Sequence, residues 1–283
     1  MRNRRHDRKR ETAIVLLCCA FAMAQAARPA RGELPSGAIN QYIAEFSDAG
    51  WEARSSAFYE LLKLGSGDRS YVARPVGDII ERASPAEAER LKLELIKLLD
   101  KENEVVEGYK RTGGHFGEDY SNYYGDVIAA VTTLKDPRSM KALLGAITTG
   151  GMVERTLAAF APTSLNPVLE RCKDKDLEIR VAAIFVLTEM LEPQNYERVE
   201  AYHLTIKRTL LEALKDPVPG VRSAAVNALA VLGDTDVIPV IRDLAEHDPA
   251  YLPEKADTGG YLYLVRPDAK KALAQLLAKQ KTK

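Results

Sequence analysis

The stretch Asp216-Pro217-Val218-Pro219-Gly220-Val221-Arg222-Ser223-Ala224-Ala225-Val226-Asn227-Ala228-Leu229 decides how the chain folds. Its apolar positions, Val221, Ala224, Ala225, Ala228, Leu229 and then Leu232, recur at intervals of three and four, which places them on one face of a helix. The same pattern stands 42 residues earlier, where Asp174, Arg180, Ala182-Ala183 and Leu187 fall in register. At an offset of 168 residues, four such periods, Asp48, Arg54, Ser55, Ala57, Leu61, Leu64 and Gly65 match Asp216, Arg222, Ser223, Ala225, Leu229, Leu232 and Gly233. A last copy, offset by 44, runs through Val265-Arg266, Ala269, Ala272-Leu273 and Leu276. A fixed period of this length is the signature of stacked supersecondary units.

Between the copies, Asp136-Pro137, Ala161-Pro162, Asp216-Pro217, Gly233-Asp234 and Asp248-Pro249 separate runs of helical pattern with short turns. No segment reads as a strand ladder. The residues resemble the HEAT family of helical-hairpin repeats, whose second helix carries Asp…Val-Arg-x-x-Ala-x-x-Ala-Leu. The resemblance is close over 205–247, 164–191 and 261–279, fair over 38–65 and 119–148, and loose over 66–118. It implies an all-α fold, a right-handed α-solenoid of about seven hairpins. Second helices are expected near 51–64, 85–99, 119–134, 151–161, 177–191, 219–232 and 264–279. One hairpin cannot bury its own apolar stripe, so neighbours stack into a continuous core. Ala182, Ala183, Ala224, Ala225 and Ala228 let helices approach, and Leu187, Leu229 and Leu273 fill the space between them.

The pairs Asp48/Arg54, Asp174/Arg180 and Asp216/Arg222 keep one six-residue interval, and Arg266 extends the row. The resemblance implies a structural ladder. The Asp lies in the turn between paired helices, accepts backbone N–H groups there, and receives a hydrogen bond from the Arg of the next repeat.

Before the repeats, Met1 to Glu11 carries an excess of four positive charges, followed by the uncharged run Thr12 to Ala27. The dense apolar part, Ala13 to Ala24, is short for a membrane span and ends in Ala22-Met23-Ala24, the small-residue pattern of a cleavage site. Residues 1–24 are therefore read as an export signal cut after Ala24, or after Ala26, and 25–37 as a linker before a repeat domain over 38–283. The expected destination is the periplasm or the exterior, with an uncleaved amino-terminal anchor as the alternative. Without residues 1–24 the chain holds 34 Lys and Arg against 38 Asp and Glu. That balance, with no strong basic cluster, argues against nucleic acid as a partner. One thiol, Cys172, then remains, and its apolar helical surroundings suggest a buried small hydrophobe.

Two segments break the regular turn length, Gly108 to Tyr124 and His247 to Tyr263, and seven of the twelve tyrosines lie in them. That enrichment is foreign to plain linkers. Tyrosine combines a large ring and a hydroxyl at little rotamer entropy, as recognition surfaces require. Tyr109, His115, Phe116, Tyr120, Tyr123, Tyr124, Tyr251, Tyr261 and Tyr263 are therefore candidate partner-binding residues; the other reading has the rings fold back and extend the core.

Enzymatic patterns are sparse. His115, His203 and His247 fall in separate repeats without a second metal ligand at helical spacing, and no nucleophile elbow, phosphate loop or dinucleotide fingerprint occurs. The expectation is an exported scaffold for a protein or peptide, with no cofactor, no catalytic or metal site and no membrane span after signal cleavage. The alternative is an enzyme or cofactor-handling protein of the HEAT-like lyase type using the His115 loop.

Overall fold

In the computed structural model, residues 32–48, 50–65, 72–114, 116–253 and 261–281 are described. The export-signal reading and His115 lie outside them. Among the described residues six helical hairpins stack in chain order: α1 (Asn40–Glu45) with α2 (Trp51–Leu62), α4 (Pro85–Thr112) with α5 (Glu118–Leu134), α6 (Met140–Gly145) with α7 (Gly151–Ala159), α8 (Leu165–Arg171) with α9 (Leu177–Leu191), α10 (His203–Ala213) with α11 (Pro219–Leu232), and α12 (Ile238–His247) with α13 (Arg266–Lys281). Helix α3 (Ala73–Arg82) belongs to no hairpin and packs between α2, α4 and α5. Helices α5, α7, α9, α11 and α13 pack one on the next, so the chain is an all-α solenoid with one core cluster running through it.

Apart from 85–99, the second helices begin within two residues of where the three-and-four pattern places them, and 177–191 and 219–232 coincide with the sequence reading. Ala183, Ala225 and Ala228 are fully buried, as are Leu187 and Leu229, while Leu273 is partly buried. Small residues at facing positions let α9 and α11 pack extensively on each other. Gly233 ends α11 in the left-handed conformation, φ 80°, which other L residues avoid. Its counterpart Gly65 follows α2 for another reason: a Cβ there would lie 2.5 Å from the carbonyl oxygen of Pro75.

The region of loose resemblance departs from the expected layout. Residues 85–99 are the first half of the 28-residue helix α4, not a second helix. Ser84-Pro85-Ala86-Glu87 starts it as a capping box: the Ser84 hydroxyl accepts from the Glu87 N–H and donates to its carboxylate. No Pro or Gly follows until Gly108, so the helix continues to the left-handed cap at Gly113, φ 66°. The expected long loop from Gly108 to Tyr124 accordingly shrinks to 113–117.

The second long insertion holds a correction as well. Tyr251–Pro253 (β1) and Tyr261–Tyr263 (β2) pair antiparallel, Tyr251 opposite Tyr263 and Leu252 opposite Leu262. Aromatic and apolar residues in short runs favour a paired extended backbone, so the expectation of no strand fails here.

Candidate functional site

Three of the candidate binding tyrosines are core residues. Tyr120, Tyr123 and Tyr124 lie on the inward face of α5 and are at most 7% exposed. They close on a buried charge: the Glu102 carboxylate accepts from Arg54 Nε (2.6 Å) and Nη2 (2.9 Å), from Tyr120 (2.9 Å) and from Tyr123 (3.0 Å). Arg54 and Glu102 are both wholly buried, an arrangement tolerable only with full hydrogen bonding. Tyr124 donates to Asn103 Oδ1 (2.6 Å), whose Nδ2 donates to the Ala142 carbonyl (2.8 Å) and so ties α4 to α6. Burial, and then the negative charge of Glu102, raise the pKa of Tyr120 and Tyr123 well above the usual phenol value.

Rings complete the cluster. Trp51 meets Tyr120 edge-on at 5.2 Å, Phe58 meets Tyr123 at 5.9 Å, and Tyr109 meets Phe116 at 5.3 Å. Tyr109 and Phe116 are half-buried. The fold-back reading therefore describes Tyr109, Phe116, Tyr120, Tyr123 and Tyr124. The other insertion lies at the far end of the stack, where Tyr251 is 51% exposed on β1 and Tyr261 and Tyr263 belong to β2.

The Asp–Arg ladder is present, with its direction reversed from the expectation. Arg180 grips Asp216 through Nε (2.8 Å) and Nη2 (3.0 Å), and Arg222 grips Asp248 in the same way (2.8 and 2.9 Å). Each Asp is thus held by the Arg of the preceding repeat. A third guanidinium nitrogen, Nη1, binds the carbonyl of the Arg's own turn, Asp174 for Arg180 and Asp216 for Arg222, both within 2.9 Å. Arg266 follows through Nε to the Asp248 carbonyl (2.9 Å). The Asp carboxylates also accept turn N–H groups, Asp216 from Val218 and Asp248 from Ala250. Burial pushes the Asp248 pKa up, but Arg222 and the Ala250 N–H outweigh it and hold the group below the ordinary carboxylate value. Arg54 belongs to the same row, since its Nη1 binds the Asp48 carbonyl (2.9 Å), yet its carboxylate partner is Glu102 on α4.

The row is interrupted at two hairpins. The buried set Val221, Ala224, Ala225, Ala228, Leu229 aligns with Tyr120, Tyr123, Tyr124, Val127, Ile128 on α5, and Val221, Ala225 and Val226 align with Val153, Leu157 and Ala158 on α7, whose helix start is offset by the same 68 residues. The position of Arg222 is thereby occupied by Ser121 and Glu154. Between these helices and α3 an open groove of about 830 Å³ passes over Met152, Ala159, Phe160 and Pro137, with Lys135, Arg155 and Arg198 at its rim. Met152 on α7 and Phe185 on the next second helix, α9, are 45% and 43% exposed. Neither the groove nor Glu102 was singled out from sequence. The capping box before an unbroken 28-residue run is the signal that would have brought Glu102 beside Arg54.

The remaining candidates for chemistry are engaged elsewhere. His203 bonds to Tyr196 (2.7 Å) and Asp234 (2.8 Å), and His247 to Asp243 (2.9 Å). Among the described residues no group of His, Cys, Asp and Glu is placed to hold a metal ion, and no helix is long and apolar enough to cross a membrane. Cys172 is buried, and that burial pushes its thiol up to about 12.

A family model for HEAT repeats matches residues 165–256. No curated protein matches the chain. Among solved structures the chain is similar to a designed armadillo repeat protein, at 16% identity and a TM-score of 0.43 over 84% of this chain and 99% of that one. Another designed armadillo repeat protein, solved in complex with the peptide (KR)4, aligns at 15% identity and a TM-score of 0.44 over the same shares.

Proposed function

From the premise that the chain is a HEAT-like α-solenoid, with HEAT repeats over residues 165–256, we propose that it is an exported binding module that holds a protein or peptide partner along its second helices. The observation that carries the reading is the open groove lined by the exposed Met152 on α7, with a second exposed large apolar side chain, Phe185, on the next second helix, α9. Isolated exposed apolar residues need no explanation, but an exposed apolar side chain that lines an open groove is the feature of a contact surface. Stacked hairpins hold such a lining rigid, so the partner bears most of the ordering entropy. Export is supported by the basic start, the apolar run Ala13 to Ala24 and the Ala22-Met23-Ala24 ending.

Two measurements test the two parts. The chain produced from its full sequence is expected to leave the cytoplasm and to begin at Gln25 or Ala27; retention of Met1 on the exported chain would make the segment an anchor. Affinity capture from the exported fraction is expected to recover a defined partner that is lost with Met152→Glu and Phe185→Glu at unchanged melting temperature. Equal recovery by both variants would remove the second-helix face from the interaction.

A further inference from the structure

The groove between α3, α5 and α7 carries a chemistry that the rest of the stack lacks. Along the solenoid the arginines of the second helices are neutralised by design of the repeat: Arg54 faces Glu102, Arg180 faces Asp216 and Arg222 faces Asp248. Where Ser121 and Glu154 replace the ladder arginine, that pairing ends. Arg155 stands one residue farther on, about 100° round the helix, and faces solvent. Among the described residues neither Lys135 nor Arg155 is in an ion pair, and Arg198 donates to the Ala159 carbonyl with no carboxylate partner. No acidic side chain lines the groove.

Two carboxylates flank the groove cations in sequence. Asp136 is bound to Arg138. Glu154 is half-buried; burial first and then Glu189 raise its pKa, and the charge of Arg155 beside it only partly offsets them, with no ion pair formed between the two. Lys135 is moreover the one non-glycine residue with positive φ (49°) among the described residues, at a helix end where glycine or asparagine is the usual choice. The chain as a whole carries equal numbers of basic and acidic residues, so the excess at the groove is local.

We infer that this groove takes an acidic, amphipathic segment of the partner, its apolar side chains on Met152 and Phe160 and its carboxylates on Lys135, Arg155 and Arg198. The inference rests on the binding-module reading and names the partner chemistry at one place on it. A chain segment fits better than a small anion, because most of the lining residues are solvent-exposed. A small ligand there stays wet, whereas a helix or extended strand laid across the groove covers its own contacts. Three rim cations with no acidic residue in the lining also give selectivity by sign, since a basic segment meets like charge.

The test begins with selection of a charge-unbiased peptide library on the full chain. A selected peptide is then titrated by fluorescence anisotropy into wild type, the double variant Lys135→Glu/Arg155→Glu, and Phe185→Glu. Expected are net-negative peptides bearing aromatic or aliphatic residues, bound about tenfold or more weaker by the double variant at unchanged melting temperature. Binding should also weaken with added salt, and the double variant should prefer the peptide with its acidic residues changed to lysine. Enrichment of neutral or basic peptides that ignore the double substitution but are lost with Phe185→Glu would overturn the inference and leave the binding-module reading standing. Failure of any peptide to enrich on the folded chain would overturn both.

Discussion

The two ends of the solenoid solve one packing problem in opposite ways. In the carboxy-terminal half, α9 and α11 meet through alanines, their backbones are close, and the charged bonds lie at the turn edge, with Arg180 and Asp216 each 13% exposed. In the amino-terminal half, α2 and α5 stand farther apart, with α3 beside them, and Trp51, Phe58, Tyr120 and Tyr123 fill the gap. There the same arginine is wholly buried and needs a carboxylate from inside helix α4. Where rings take the alanine positions the ion pair is wholly buried and its carboxylate comes from the neighbouring first helix. Where alanines stand, the pair sits at the turn, partly solvated for Arg180 and Asp216 and nearly buried for Arg222 and Asp248.

The largest effect should follow from Glu102→Ala. It strands Arg54 in the core and removes the acceptor of two phenols, and a loss of about 3–5 kcal/mol is expected in denaturant titration. The Trp51 emission transition should move, while exposure of Cys172 should move much less, because a solenoid is coupled mainly between neighbours. Coincident shifts at both probes would show that the halves act as one unit.

Arg222→Ala comes next, at about 2–3 kcal/mol, since it leaves the buried Asp248 without its charged donor. It also bears on pH. Asp248 and Asp174 are more acidic folded than unfolded, so their contribution is complete above the unfolded value near 3.9 and disappears as pH falls through the folded one. The acid limb of wild-type stability should therefore be shallower in Arg222→Ala. The aromatic half has the opposite sign. Its phenols titrate higher folded than unfolded, so stability should fall as pH rises past about 10, with phenolate absorbance and Trp51 emission changing together.

Arg180→Ala should cost about 1 kcal/mol, its pair being partly solvated. A cost equal to that of Arg222→Ala would break the link between depth and strength. The smallest signal concerns Cys172: its buried, high-pKa thiol should resist a thiol reagent in the native chain and react only as the α8–α9 region opens.

How much of this was legible in sequence follows the same division. Where spacing is fixed by alanine and leucine, the 3.6-residue period read α9 and α11 to the residue, and the Asp–Arg interval found the ladder. Its direction was not legible, because a six-residue interval says nothing about which neighbour a guanidinium reaches. The tyrosines left two readings open for a physical reason. Tyr120, Tyr123 and Tyr124 keep the helical period of a buried face, whereas Thr112-Gly113-Gly114 beside them suggests an extended loop, and composition alone does not choose between them. The groove escaped notice because it is defined by what is missing, an arginine at the positions of Ser121 and Glu154.

The one-way grip of Arg180 on Asp216 and of Arg222 on Asp248 gives every joint in the carboxy-terminal half a head and a tail. A cassette spanning one 42-residue period offers a donor to whatever follows it and an acceptor to whatever precedes it. Copies inserted in the native orientation therefore meet complementary ends on both sides, so the array can grow by whole cassettes without redesign of a single seam.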